Sequence, residues 1–169
     1  MERHVLSILV ENHAGVLTRI SGLFSRRGYN IDSLSVGETE NPNFSRITVA
    51  VMGDADIIEQ IRKQVEKLVD VSEVIVLAPN ESVFRELTLI KVRSTANTRA
   101  EIFSIVEIFR ANIIDVANES MTVELTGDQT KIGAFTDLMA PYGVVEIVRT
   151  GLTAIQRGNA ALKEHEMNW

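Results

Sequence analysis

The chain has 169 residues, of which 45% are hydrophobic and 24% charged, a balance typical of one globular domain or two small ones. Its net charge of −6 at pH 7 argues against broad binding of nucleic acid or of anionic membranes, because both need a basic protein surface. The chain has no cysteine, which excludes disulfides and thiolate metal sites, and its three histidines are scattered, so we expect no metal site.

The N-terminal apolar run after His4 is short for a signal peptide and is stopped by Glu11 without a small-residue cleavage site. No apolar stretch approaches the length that spans a membrane. We therefore expect a first strand here, no membrane association and a cytoplasmic location.

The first half of the chain, residues 4–79, has the element order βαββαβ. Apolar residues recur at helical spacing after Gly15, and Gly28 ends that helix. Alternating and apolar runs separated by turn residues predict the strands. We predict strands at 5–10, 31–36, 47–51 and 74–78, and helices at 16–27 and 53–68.

A short loop, Asn12 to Gly15, joins the first strand to the first helix. Asn12 or His13 is a candidate helix cap, because a side-chain acceptor there can take an N–H of the first turn. Gly15 lacks a Cβ, so backbone can come close to a ligand or to another chain. A helix N-terminus favours an anionic group such as a carboxylate. Two interpretations remain open at this point, a tight turn or a binding loop.

Residues 80–83 are predicted to be a linker, after which the βαββαβ pattern repeats. We predict strands at 87–92, 113–117, 121–126 and 144–148. Thr98 and Glu101 have the spacing of a capping box at the start of a third helix, and a fourth helix begins at 127–128. Arg27 and Ile31-Asp32 recur as Arg110 and Ile114-Asp115, 83 residues later. The two halves are therefore predicted to be related.

The predicted fold class is α+β, with two ferredoxin-like βαββαβ domains whose helices lie on one face of an antiparallel sheet. Such a small sheet leaves one face and its edges exposed, and pairing with another copy is the usual remedy. We therefore expect at least a homodimer.

No catalytic constellation is found. The sequence has no Ser-His-Asp pattern, no Gly-rich phosphate loop and no cysteine nucleophile. The acids at 54, 56 and 59 lie at a predicted helix N-terminus, where they favour the helix dipole. We predict no catalytic residue in this chain.

Residues 4–79 resemble an ACT domain, and the chain as a whole resembles the small, regulatory subunit of acetohydroxyacid synthase (acetolactate synthase). The run Gly28-Tyr29-Asn30-Ile31 is highly specific for that family. The other matching segments are 10–19, 22–34, 45–48, 64–71, 85–87, 109–116, 149–151 and 157–158.

The resemblance implies a domain at 1–79 that binds an effector and dimerises, an ACT-like domain at 84–158 that associates with the catalytic subunit, and a tail at 159–169. It implies no catalysis and no cofactor in this chain, with thiamine diphosphate, magnesium and FAD on the catalytic subunit. The expected function is activation of that subunit and feedback inhibition by valine in branched-chain amino-acid synthesis. By matching positions, the valine site between two N-terminal domains is lined by Asn12, Gly15, Val16, Leu17, Asn30 and Ile31.

Two alternative functions are less consistent with the sequence. One is a stand-alone amino-acid-sensing ACT-domain regulator of gene expression or of another metabolic enzyme. The net charge of −6 and the lack of a basic helix-turn-helix segment argue against the gene regulator. The other is a small enzyme of unknown chemistry, which the missing catalytic constellation disfavours. Co-purification with a large thiamine-diphosphate enzyme separates the regulatory subunit from both.

Overall fold

A computed structural model describes residues 1–162. These residues form two compact units, one of residues 1–83 with 152–162, the other Phe84–Gly151. The first unit contains β1 (Glu2–Glu11), α1 (Val16–Arg26), β2 (Ile31–Glu38), β3 (Phe44–Gly53), α2 (Ala55–Glu66), β4 (Val71–Val76) and the returning β9 (Thr153–Gln156). The second contains most of β5 (Ser82–Arg93), then α3 (Arg99–Ile108), β6 (Asn112–Val116), β7 (Ser120–Gly127), α4 (Gln129–Met139) and β8 (Val144–Arg149).

Both sheets are antiparallel and have the same strand order. The first runs β2-β3-β1-β4 and the second β6-β7-β5-β8, which is the order of a βαββαβ fold with the first strand of each half in the middle. The predicted fold class, two ferredoxin-like α+β domains, is confirmed.

The first core lies between the two helices and one face of the first sheet. Alternate residues of β1 point into this core, because side chains of a strand alternate between its faces. From α1, the buried positions recur at helical spacing as Val16, Ile20, Leu23 and Phe24. Gly28, with φ 71°, ends the helix as predicted.

The other face of the first sheet is also buried, which differs from the prediction that one face stays open. Its buried residues are Val5, Ser7, Leu9, Thr48 and Ala50. The segment that returns from Leu152 contributes to this cover, and Leu152 and Ala154 are themselves buried. The Oγ of Ser33 accepts from the N–H of Leu152 at 2.7 Å, and the Oγ of Ser35 donates to its carbonyl at 2.7 Å.

The second unit has a core built in the same way, with ten buried residues from β5, β7 and both helices. Its two edge strands expose more apolar side chains than those of the first unit, where Val36 on β2 and Val76 on β4 are exposed. On β6 these are Ile114 and Val116, and all six residues of β8 are exposed.

The second compact unit ends at Gly151, and residues 152–158, which the sequence assigns to the second domain, lie with the first unit. The predicted linker at 80–83 is a short 3₁₀ turn, Pro79–Glu81, followed directly by β5. The sequence did not predict β9, and just after that strand the N–H of Arg157 donates to the carbonyl of Glu81 at 2.7 Å within the first unit. Of the predicted tail at 159–169, residues 163–169 lie outside the described residues.

The internal repeat has an offset of 82 residues at the exit of the first helix of each half, not the 83 that the sequence suggested. Gly28 and Tyr29 donate to the carbonyls of Ser25 and Phe24, and positions 110 and 111 make the equivalent bonds to 107 and 106. The sheet irregularity after Ile31 recurs after Ile113. Gly28 therefore corresponds to Arg110, which has φ 54°.

Among the helices of residues 1–162, none has the length and apolar character needed to cross a membrane.

Candidate functional site

The loop between β1 and α1 is held by backbone bonds and opens the helix without a side-chain cap. The N–H of Asn12 donates to the carbonyl of Asn43 at 2.7 Å. The N-cap residue is Gly15, with φ 90° and no side-chain bond to the first turn, so the prediction that Asn12 or His13 caps the helix is wrong. Because a helix N-terminus without a cap presents N–H groups, this end of α1 suits an anion such as a carboxylate.

Asn12 does not cap because its side chain binds residues that are distant in sequence. Its Nδ2 donates to Glu38 Oε1 at 3.2 Å and to the carbonyl of Pro42 at 2.9 Å. These bonds join the β1–α1 loop to the end of β2 and to the turn before β3. The side chain is exposed, and its Oδ1 has no hydrogen bond to the part of the chain that the structure describes. This oxygen can accept a bond from an ammonium group.

A cluster of ionisable groups that the sequence did not predict lies beside the loop. The carboxylate of Asp70, 5% exposed, accepts from Nε of Arg19 at 2.5 Å. His13 Nε2 lies 3.0 Å from Asp70 Oδ1 and 3.0 Å from Glu11 Oε2. Asp70 comes here because β4 pairs antiparallel with β1, and the N–H of Glu11 donates to the Asp70 carbonyl at 2.9 Å. The βαββαβ strand order was the available signal, since it places the start of β4 beside the end of β1.

The protonated form of His13 fits this cluster. Its Nδ1 lies 3.2 Å from the carbonyl oxygen of Ala14 and its Nε2 faces two carboxylates, so only the imidazolium can donate from both nitrogens. The pKa of His13 is raised, chiefly by the bond to Ala14 and then by the bond to Glu11. The ligand atoms of Glu11, His13 and Asp70 lie within 4.8 Å of one another, which is close enough to hold a metal ion. Arg19 already neutralises Asp70 in the geometry observed.

Two of the predicted site residues follow Gly15 directly and differ in exposure. Val16 is 3% exposed and belongs to the first core, so it can contribute its backbone N–H but not its side chain to a surface site. Leu17 is 41% exposed and offers an apolar surface next to the helix N-terminus.

The last two predicted site residues lie at the other end of the same sheet. Ile31 pairs with Val51, which is level with His4 on β1. Glu11 follows His4 by seven residues, a distance of about 23 Å along a strand. Asn30, just before Ile31, is exposed and donates from Nδ2 to Asp32 Oδ1 at 3.1 Å. One chain therefore brings Asn12, Gly15 and Leu17 together but does not bring Asn30 and Ile31 to them.

The equivalent loop of the second unit has the same backbone bonds and different side chains. The N–H of Ser94 donates to the carbonyl of Glu119 at 3.0 Å, as Asn12 does to Asn43. The predicted capping box is wrong, because Thr98 makes no cap bond and its Oγ1 accepts from the N–H of Thr95 at 2.9 Å. The loop has no glycine, and Arg93 and Arg99 flank it. The start of α3 is therefore also without a side-chain cap, and what the second loop lacks is a counterpart of Gly15 with its left-handed φ of 90°.

Two family models match the chain, one in each half. Residues 6–73 match the ACT domain that is described as AHAS small subunit-like, and residues 85–158 match the model described as the small subunit of acetolactate synthase. Together they cover both βαββαβ repeats.

Curated relatives and a solved structure agree with these models. The chain is 48% identical over 157 residues to a probable acetolactate synthase small subunit of Archaeoglobus fulgidus, covering 93% of this chain and 98% of that one. It is 48% identical over 155 residues to the acetolactate synthase small subunit of Mycobacterium leprae, covering 92% of each. The crystal structure of the acetolactate synthase small subunit from Thermotoga maritima superposes with a TM-score of 0.88 at 46% identity, covering 95% of this chain and 100% of that one.

Proposed function

Because this chain belongs to the acetolactate synthase small-subunit family, we propose that it is the non-catalytic regulatory subunit of that enzyme. It binds the catalytic subunit in the cytoplasm, raises its activity and makes it sensitive to feedback inhibition by valine. Thiamine diphosphate, magnesium and FAD belong to the catalytic subunit.

The observation that carries the effector proposal is the uncapped N-terminus of α1. Gly15 has a left-handed φ of 90° and no side chain, so the first-turn N–H groups are open to the valine carboxylate. The Oδ1 of Asn12 accepts from the valine ammonium group. The exposed side chain of Leu17 gives the branched side chain an apolar neighbour.

The distance between the two groups of site residues supports a site shared by two copies. Asn30 and Ile31 lie about 23 Å along the sheet from the β1–α1 loop of their own chain. A single valine is far smaller than that distance. Both groups can contact one effector only if a second copy supplies Asn30 and Ile31, so we propose a homodimer through the first units with the effector in the crevice.

The second unit serves the association with the catalytic subunit. Its edge strands β6 and β8 expose Ile114, Val116, Val145, Ile147 and Val148, with exposed fractions between 40% and 57%. An edge strand with apolar side chains and unpaired backbone groups is a surface that partners cover. The first unit then remains free to bind valine.

Reconstitution tests this function. The chain alone is expected to form no acetolactate, and mixing it with the catalytic subunit of the same organism is expected to raise acetolactate formation several-fold. Added valine should then lower the activity of the complex. An unchanged rate on mixing would rule out the proposed regulatory role. Activation without any effect of valine would support the activating role and contradict the proposed effector site.

A further inference from the structure

A cavity of about 390 Å³ lies in the first unit, on the sheet face opposite to the helices. Its volume is in the range of small-molecule sites, about 300–1,000 Å³. On one side it is bounded by Leu9 and Arg46, which are cross-strand neighbours on β1 and β3. The returning segment closes the other side with Ile155, Gln156 and residues 160–162. The residues Asn12 to Leu17 are not part of its lining.

Three charged side chains line this cavity, the cation Arg46 and the carboxylates Glu38 and Glu40. Arg46 is half-buried, and burial lowers the pKa of its guanidinium, while Glu40 and Glu73 act in the opposite direction. No ion pair within 4.0 Å joins Arg46 to Glu40. A partly buried charge is costly unless a counter-charge or hydrogen bonds compensate it. Arg46 and Glu40 therefore offer a cationic and an anionic group in the lining to a molecule that carries both charges.

The remaining lining is mostly apolar. Leu9, Ile155 and Leu162 are aliphatic, and Ala160 and Ala161 are small. A pocket with an aliphatic wall and a few convergent polar groups is the usual design of a small-ligand site. The aliphatic wall selects against a ligand whose side chain is charged or strongly polar.

The cavity is connected to the β1–α1 loop through Glu38. Glu38 lines the cavity and also accepts the hydrogen bond from Asn12 Nδ2 at 3.2 Å. A ligand that moves Glu38 therefore changes a bond that holds Asn12 in place. The coupling needs no contact between the ligand and the loop itself.

We propose that this cavity is a second small-molecule site, for a zwitterionic α-amino acid with an aliphatic side chain. Arg46 binds the carboxylate, Glu40 binds the ammonium group, and Leu9, Ile155 and Leu162 contact the side chain. Occupancy acts on the β1–α1 loop through Glu38 and Asn12. This proposal goes beyond the proposed function, because it uses a different face of the first unit.

Titration calorimetry on the full chain tests it, with L-valine, L-leucine and L-isoleucine each used as a probe. The Gly15→Asp variant is used to remove binding at the α1 N-terminus, so that binding in the cavity is measured alone. In that background we expect Arg46→Gln and Glu40→Gln each to weaken binding by about tenfold or more, because each loses a charge-assisted bond. Arg62→Gln, on the exposed surface of α2, is the matched control and should leave binding unchanged.

Ligand analogues test the assignment of the two charges. Isobutylamine lacks the carboxylate and isovalerate lacks the amino group, so both should bind at least about tenfold more weakly than valine or leucine. Circular dichroism of each variant establishes whether the variant is folded, so that loss of binding is not mistaken for loss of folding. If Arg46→Gln does not fold, Glu40→Gln tests the cavity in its place.

The outcomes separate this proposal from the effector site at the helix. Loss of all binding in Gly15→Asp, with wild-type binding in Arg46→Gln, would overturn the second site and leave the effector site standing. Binding that survives Gly15→Asp and is lost in Arg46→Gln supports the second site. Binding that survives both changes would also overturn the proposal.

Discussion

The Nε of Arg19 on α1 donates to Oδ2 of Asp70 at 2.5 Å, although the two residues are 51 positions apart. Asp70 is buried beside the end of β1, and Arg19 is half-exposed on the second turn of α1. The bond therefore ties the start of the helix to the strand pair β1–β4. It fixes the direction of the helix N-terminus that we propose as the effector site.

We predict that Asp70→Asn destabilises the protein by about 2 kcal/mol, because the buried carboxylate accepts bonds from a charged partner. The partial exposure of Arg19 keeps the loss below that of a fully buried pair. The measurement is urea unfolding of the full chain. Glu59→Gln, which removes one partner of Arg62 on the surface of α2, is the control and should cost much less. Equal losses in the free energy of unfolding for the two variants would show that the burial of Asp70 adds nothing to the strength of its ion pair.

We predict that the stability contributed by His13 depends on pH. The pKa of His13 is raised in the folded chain, so the folded state binds the proton more tightly than the unfolded state. The contribution is fully present below the ordinary histidine pKa of about 6.5 and is lost as the pH rises through the higher, folded pKa.

The test compares unfolding of wild type and His13→Gln between about pH 5 and pH 9, a range that spans the ordinary histidine pKa. The difference between them should be largest at the acidic end and should shrink as pH rises. A difference that grows with pH would mean that the neutral imidazole is the favoured form. Replacing Glu11 by Gln should reduce the effect, because a neutral amide oxygen replaces the charged carboxylate that accepts from the imidazolium.

We predict that Gly15→Asp abolishes valine inhibition in the reconstituted complex and leaves activation in place. The aspartate adds a negative charge where the valine carboxylate binds, and allosteric coupling is typically only about 1–3 kcal/mol. Its Cβ would also lie 3.3 Å from Arg19 Nη1 at a φ of 90°, which side chains rarely adopt. We therefore expect a loss of stability of about 1–2 kcal/mol as well.

Activity against valine concentration is the measurement, and Gly133→Asp on α4 is the matched control. Gly133 has no neighbour within 4 Å of an added Cβ and no left-handed φ. A Gly15→Asp complex that stays as sensitive to valine as wild type would show that the effector does not bind at the α1 N-terminus.

We predict that the fragment 84–151 folds alone, binds no valine and keeps affinity for the catalytic subunit. It contains a complete four-stranded sheet, both helices and its own buried core. The fragment 1–79 should bind valine, but we expect it to be less stable than the same unit in the full chain, because it lacks Leu152 and Ala154. Calorimetry with each fragment decides both points, and valine binding to 84–151 would contradict the assignment.

Local signals in the sequence predicted the elements well. The spacing of Val16, Ile20, Leu23 and Phe24 predicted α1 and its buried face, and Gly28 marked its end, because these features depend on residues within a few positions of one another. The caps at Asn12 and Thr98 were wrong for different reasons. Asn12 binds Glu38 and Pro42 instead, and Thr98 takes part in a local turn with Thr95.

The sequence by itself determined the element order, the two βαββαβ halves and the loop before α1, since periodicity and turn residues act over short distances. Only the tertiary structure decided what meets that loop. Strand pairing places Asp70 beside Arg19. It also places Asn30 and Ile31 about 23 Å along the sheet from the end of β1. Leu152 lies with the first unit. These positions depend on strand pairing between residues far apart in the chain, which leaves no periodic trace in the sequence.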